Sequence, residues 1–311
     1  MYNCNKVSII LRTKNREFFF RRAVKSILNQ TYKGYHVYIV NDGGCVDYIK
    51  NSMSLLMGHE RSKFSIIDLP KSTRRGGALS IGINSSFEEY IHVHDDDDTL
   101  EPEFLEKMVS YLDNDKNEIY SAVICSNYDV YETCVDGIYR EVERSDRNGQ
   151  RTGSVMDYGL YLSGLTAIVP IALLFRRKFI RLSGGANPCL DYGEDTDLFK
   201  RLLLYGDVGI VNDFLCSYCW PVSLDDDGRT TLDSRSKREC DYQNIMYDNV
   251  CIREAMFGNS ILKDLQVELI KHRLMGNHQS SILLQNLTLL EESFFKMIEA
   301  INNLLEQKNH R

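Results

Sequence analysis

VSIILRTKNREFFFRRAVKSILNQTYKGYHVYIVNDGG, residues 7–44, decides the architecture. Val7 to Leu11 is a continuous apolar run with β-branched residues, which predicts a buried strand, and polar Arg12 to Arg16 follow as a loop. Phe20, Ala23, Val24, Ile27 and Leu28 then recur at helical spacing. Tyr35 to Val40 reads as a second buried strand, stopped by the turn cluster Asn41-Asp42-Gly43-Gly44. Strand, helix, strand is the parallel crossover unit. The pattern repeats with a strand at 64–68, a helix at 77–87 and a strand at 90–94, so the fold expected is α/β with a Rossmann-like open sheet.

Further along, strands are expected at 122–126 and 166–174, then a glycine-containing loop over 184–193 and a helix from near Glu194 that Gly206 ends. Short strands follow at 208–211 and 215–220. The polar segment SLDDDGRTTLDSRS, 223–236, separates a catalytic domain over 1–225 from a helical C-terminal region over 226–311. Within that region Leu283, Leu287, Leu290, Phe294, Met297, Ile301 and Leu304 alternate steps of four and three, the heptad spacing. A helix over 280–306 with this stripe packs on its own body or pairs with a second copy as a homo-oligomer.

A net charge of -7 argues against a general nucleic-acid binder, since backbone phosphates are met by basic surfaces. The first apolar run is too short for a signal-peptide core, and no stretch approaches the roughly 18 apolar residues of a spanning helix. Nine scattered cysteines, an odd number set mostly in apolar segments, suit reduced thiols and a cytoplasmic location. Peripheral contact with the inner face of a membrane is compatible with this. Cys216 and Cys219 form a CxxC, but a zinc site needs two more ligands at suitable spacing.

In open α/β sheets ligands gather beyond the carboxyl ends of the strands, which directs attention to Thr13 to Arg16, Asp42 and Asp95 to Asp98. Four consecutive carboxylates repel one another unless a cation sits among them. Mn²⁺ or Mg²⁺ is the natural one: it prefers oxygen, takes one or two protein carboxylates and fills its other positions with phosphate and water. The competing reading is a solvated acidic loop at a helix start. His92 and His94 share one strand face by alternation and read either as a hydrolase metal pair or as side chains flanking the site. A second acidic cluster, Glu194-Asp195-Thr196-Asp197, follows a glycine-rich loop and opens a helix. A carboxylate held there can act as a general base, with Asp195 the base and Asp197 the helix-supporting partner; the alternative is helix capping by both.

Residues 7–16 followed by AVKSILNQTY (23–32), YHVYIVNDGG (35–44), EYIHVHDDDDTLEP (89–102) and GEDTDLFKRL (193–202) resemble, in order and spacing, the successive signatures of the family 2 glycosyltransferases. The resemblance covers about the first 220 residues. It implies a GT-A fold, a nucleotide-diphosphate-sugar donor (UDP-sugar being the commonest), a divalent metal and inversion at the anomeric carbon. By position Thr13, Asn15 and Arg16 would line the nucleotide pocket, and Asp42 would accept a hydrogen bond from the base. Asp95 and Asp96 would hold ribose or metal, with Asp97 the main metal ligand. Asp195 would deprotonate the acceptor hydroxyl of a glycan or lipid-linked acceptor, and Glu194 would help place that acceptor. Arg75, beside Arg74 and before Gly76-Gly77, would meet the diphosphate, and Trp220 would stack on the acceptor sugar. The sequence departs from its relatives at Ser80, where asparagine is frequent, and at Tyr218-Cys219-Trp220, where a histidine often adds a metal ligand.

Two rival functions make distinct predictions. A sugar nucleotidyltransferase shares the α/β architecture and metal need, but its first strand usually leads into a glycine-rich loop, and here that loop is RTKNR. A non-catalytic scaffold would not need both acidic motifs.

Overall fold

The computed structural model describes residues 5–136, 138–146, 150–158, 161, 168–190 and 193–221. The proposed C-terminal region over 226–311 and its heptad helix lie outside the described residues.

The first half alternates strand and helix: β1 (Val7–Thr13), α1 (Glu17–Leu28), β2 (Tyr35–Asn41), α2 (Asp47–Ser54), α3 (Gly58–Arg61), β3 (Phe64–Asp68), α4 (Arg74–Ser85) and β4 (Tyr90–Asp95). The second half comprises β5 (Thr99–Leu100), α5 (Phe104–Asn114), β6 (Tyr120–Val135), β7 (Ile138–Ser145), β8 (Leu173–Arg176), α6 (Arg177–Leu182), α7 (Glu194–Leu202) and β9 (Asp207–Pro221). One sheet runs β3-β2-β1-β4-β8-β6-β9-β5, with β7 paired to β6. β1 pairs parallel with β2 on one side and with β4 on the other, so the strand order reverses there. That reversal opens a crevice beyond the carboxyl ends of β1 and β4.

Helices cover both faces. Val7, Ile9 and Leu11 share the face on which Tyr35 donates its hydroxyl to the Ile27 carbonyl of α1. Ile10 lies on the other face, where α4 approaches so closely that a Cβ on Gly82 would strike the Ile10 and Val40 side chains. Burial on both faces explains why β1 and β2 read as unbroken apolar runs rather than alternating ones.

The structure differs from the sequence expectation at four places. The strand expected at 166–174 is, over its described residues, a 3₁₀ turn at Pro170–Ala172 that leads into β8 at Leu173. β1 continues two residues past Leu11, taking Arg12 and Thr13 into the sheet. α4 starts at Arg74, ahead of the two glycines that weaken its helical signal. The fragments expected at 122–126, 208–211 and 215–220 belong to two long strands of 16 and 15 residues. Their parallel pairing shifts register around Ser126, and the irregularity absorbs Asn212 and Asp213.

Candidate active site

β1 and β4 run in register, so Arg12 lies directly opposite Asp95. The Arg12 guanidinium is 7% exposed and grips Asp95 Oδ1 through Nε at 2.9 Å and Nη2 at 2.5 Å. Its Nη1 donates to Glu194 Oε1 at 2.6 Å. Arg75, from the first turn of α4, reaches the same two acids: Nε to Glu194 Oε1 at 2.9 Å and Nη2 to Asp95 Oδ2 at 3.5 Å. Two guanidiniums therefore tie the end of β4 to the start of α7. Burial opposes ionisation of Asp95 and Glu194, but Arg12 and Arg75 outweigh it and hold both carboxyls below the usual range.

On the opposite face Thr13 donates its hydroxyl to Asp96 Oδ2 at 2.7 Å and lies 3.0 Å from the Tyr48 hydroxyl. Arg16 forks onto Asp96 at 2.7 Å and Asp97 at 2.9 Å, its guanidinium seated over the Phe19 ring. Asp98 is fully buried: Oδ1 accepts the Cys219 amide at 2.9 Å, and Oδ2 has no partner among the described residues. Burial, then the neighbouring Asp97, pushes the Asp98 carboxyl well up. Behind it Arg22 pairs with Glu132 and donates to the Asp97 carbonyl.

The run thus divides. Asp95 and Asp97 keep partly exposed carboxylates, with side chains 19% and 13% accessible. Asp96 is nearly covered and Asp98 anchors β9. Among the described residues no three His, Cys, Asp or Glu converge as a metal cage. An oxygen donor set of two carboxylates nevertheless fits Mn²⁺ or Mg²⁺, which take few protein ligands and fill the rest of their shell from phosphate and water. His92 and His94 do not extend that set. Each turns Nδ1 to a backbone carbonyl, of Leu173 and Asp95, and burial lowers their pKa values to about 3 and about 4, so both are neutral core rings.

The other sequence-predicted residues fall around this centre. Asn15 adopts a left-handed φ of 55° and accepts the Cys45 amide at 2.7 Å, joining the loops after β1 and β2. Asp42 accepts from Ser72 Oγ at 2.6 Å and from the Thr73 amide at 2.6 Å, fastening the segment that leads into α4. Glu194 is fully buried and its Oε1 is taken by the two arginines. Asp195 is half-buried and accepts the Thr196 amide at 2.6 Å. Burial and then Glu194 push its carboxyl up to about 6, against the pull of Arg75 and Arg12. Asp197 pairs with Arg201 one turn along α7, as a helix-supporting partner does. Trp220 stacks on Tyr131 and meets Tyr218 edge-on, with a buried Nε1 that has no partner among the described residues. Cys216 lies 3.7 Å from Cys125, sulfur to sulfur, as a buried reduced thiol, so the CxxC is core.

Arg12 is the residue that sequence reasoning missed. Its only sequence signal is a cation that directly extends an apolar strand, where its burial requires carboxylates from elsewhere in the chain.

The Glycosyl transferase family 2 model matches residues 8–180, more than half of the chain. The chain belongs to that family. An uncharacterised glycosyltransferase of Haemophilus influenzae is 32% identical over 129 residues, covering 40% of this transferase and 37% of the relative. Another, of Rickettsia typhi, is 26% identical over 200 residues and 63% of this chain, covering 58% of its own length. This transferase thus spans less than two thirds of these curated relatives. Among solved structures, S. aureus TarS in complex with UDP-GlcNAc superposes with a TM-score of 0.63 at 14% identity, over 86% of this chain and 71% of that one. The mannosyltransferase PcManGT of Pyrobaculum calidifontis, in complex with GDP-Man and Mn²⁺, gives 0.55 at 12% identity, over 92% and 80%. At these identities the likeness shows the GT-A-type fold of this transferase.

Proposed function

We propose that this glycosyltransferase moves a sugar, with inversion, from a nucleotide-diphosphate-sugar donor of the UDP class to a hydroxyl of a glycan or lipid-linked acceptor. The observation that carries the reading is the Arg12 clamp, which brings the aspartates after β4 and the acidic start of α7 into one crevice. The complexes of TarS with UDP-GlcNAc and of PcManGT with GDP-Man support the donor class.

Thr13 at the end of β1, and Asn15, Arg16 and Asp42 on the loops after β1 and β2, border the nucleotide end. Arg75 and Arg16 offer guanidinium forks to diphosphate oxygens, the geometry that planar forks suit. A divalent ion on Asp97 and Asp95 supplies Lewis-acid stabilisation of the departing diphosphate when bound. Asp195, ionised above its pKa of about 6, takes the proton of the acceptor hydroxyl as that oxygen bonds to the anomeric carbon. The bond from that carbon to the diphosphate oxygen breaks with its electron pair going to the nucleotide. Glu194 sets the base's position through its arginines, and Trp220 offers an aromatic face to the acceptor.

The test is a thermal-shift panel of nucleoside diphosphates and nucleotide-sugars with and without Mn²⁺. A donor at one hundred times its dissociation constant stabilises by about 2.7 kcal/mol. Metal-dependent stabilisation by one nucleotide class is the expected result. Equal indifference to the whole panel would overturn the reading.

A further inference from the structure

A groove of about 730 Å³ lies at the other end of the sheet from the acidic crevice. It exists because α4 stops at Ser85 and leaves the amino-terminal part of its sheet face uncovered. His36 and Tyr38 on β2, with Ser65 and Ile67 on β3, form its floor, and Phe87 forms its wall. His36 meets Tyr38 and Tyr38 meets Phe87 edge to face, with centroids 4.9 and 6.2 Å apart, so the buried Tyr38 braces an exposed Phe87 ring at the groove. Phe87 is 77% exposed although it lies between the buried Ser86 and Glu88. A hollow of this size, mostly apolar with a few convergent polar groups, has the form of a small-ligand site.

Charge narrows the ligand. Lys6 at the rim is held by both carboxylate oxygens of Asp113, at 3.0 and 2.9 Å. Arg177 behind the floor donates to the carbonyls of Glu88 and Ile83 and to the hydroxyls of Ser8 and Ser86. Glu88 and Glu89 line the groove, and Glu88 keeps its carboxylate on Ser8 and Tyr38. An anionic ligand, nucleotide or phospholipid, would meet carboxylates and cations that already have partners. A neutral ring with an apolar C–H face and peripheral hydroxyls suits the surroundings: the face lies on the exposed Phe87 ring, and the hydroxyls meet Ser85 and Glu89 at the rim.

We propose that this groove is a second saccharide site, which holds a neutral sugar ring of a glycan chain. Strand β1 runs from beside the groove to the acidic crevice, and its seven residues put the two sites roughly 20 Å apart. The site's use in retaining an acceptor chain between transfers rests on the transferase reading; its existence does not. Two weak sites on one chain would raise acceptor affinity through effective concentration.

The experiment is saturation-transfer NMR on the full chain with three neutral probes: chitotriose, maltotriose and mannotriose. Wild type, Phe87→Ala, Phe87→Tyr and Asp97→Asn are compared, with melting temperature as the folding control. At least one trisaccharide is expected to bind wild type and Asp97→Asn alike. Binding weakens at least fivefold in Phe87→Ala and is retained in Phe87→Tyr, with melting unchanged because Phe87 is exposed. Binding by none of the probes, or binding that survives Phe87→Ala, overturns the proposal. Failure of the transferase reading would instead show as indifference to nucleotide-sugars, with trisaccharide binding intact.

Discussion

Replacing Arg12 by methionine removes the one side chain that bonds both Asp95 and Glu194 from within the sheet. Deleting one partner of a buried ion pair costs about 3–5 kcal/mol, because the other charge is left uncompensated. Arg75 still reaches both acids, which places the expected loss at the lower end, about 3 kcal/mol. For a domain of this size that corresponds to a fall of roughly 6–12 °C in Tm. Asp95→Asn in the same background should restore part of it, since the orphaned carboxylate is then neutral. The pH profile separates positioning from mere stability. Arg12 pulls the Asp195 carboxyl down, so its removal moves the acid limb of kcat/KM to higher pH than in the wild type. Asp195 must be ionised to act, and the variant therefore loses proportionately more activity at pH 6 than at pH 8. Arg12→Lys keeps the charge and should keep the limb while losing the fork's geometry. Circular-dichroism melting and transfer from a UDP-sugar across pH 5–9 measure both effects. A drop in Tm under about 2 °C, or an acid limb that does not move, refutes the reasoning.

Three further outcomes follow from the geometry. Asp195→Asn should abolish transfer yet raise stability at pH 8 by about 2 kcal/mol, because a carboxyl whose pKa is raised by folding destabilises the fold when ionised. The gain should shrink as pH falls from 6 to 4, as the native carboxyl protonates; a gain independent of pH refutes the assignment. Asp97→Asn should leave Tm within about 1 °C, the side chain being partly accessible and singly paired, while abolishing the Mn²⁺-dependent shift given by nucleotide-sugars in calorimetric melting. Gly76→Ala should cost about 1–3 kcal/mol in urea unfolding and lower kcat, since its Cβ would meet the carbonyls of Asn187 and Leu190 in the loop before Asp195; unaltered kcat would separate that loop from the chemistry.

Elements buried on both faces were legible in the sequence, because β1, β2 and β4 are each rich in β-branched and aromatic residues and each is bounded by turn or polar residues. β6 was not. Ser126, Asn127, Asp129 and Glu132 are all buried polar residues inside one strand, and each interrupts the apolar pattern that marks a strand's extent. The aspartate run and the Glu194-Asp195 pair could be found as local motifs, whereas the division of labour within the run could not. Asp98 differs from Asp97 because the fold buries it completely and brings the amide of Cys219 to it from 121 residues away. Arg12 was hidden for the same reason: its partners lie 83 and 182 residues downstream, and a strand-terminal arginine looks like the first residue of a loop.

The position of Arg12 also bears on engineering. On the proposed assignment the crevice is modular, with the donor acids supplied by the parallel half of the sheet and the base carried on a separate helix, which invites acceptor-swapping chimeras that exchange residues 177–221 between relatives. Glu194 would travel with such a graft while both of its guanidinium partners stayed behind on β1 and α4. A donor segment with another residue at position 194 would leave the buried Arg12 with Asp95 as its one remaining acid of the clamp. A recipient without Arg12 would leave Glu194 to Arg75 alone. Productive exchanges must therefore move residues 12, 75 and 194 as one unit, although nothing in their spacing along the chain marks them as such.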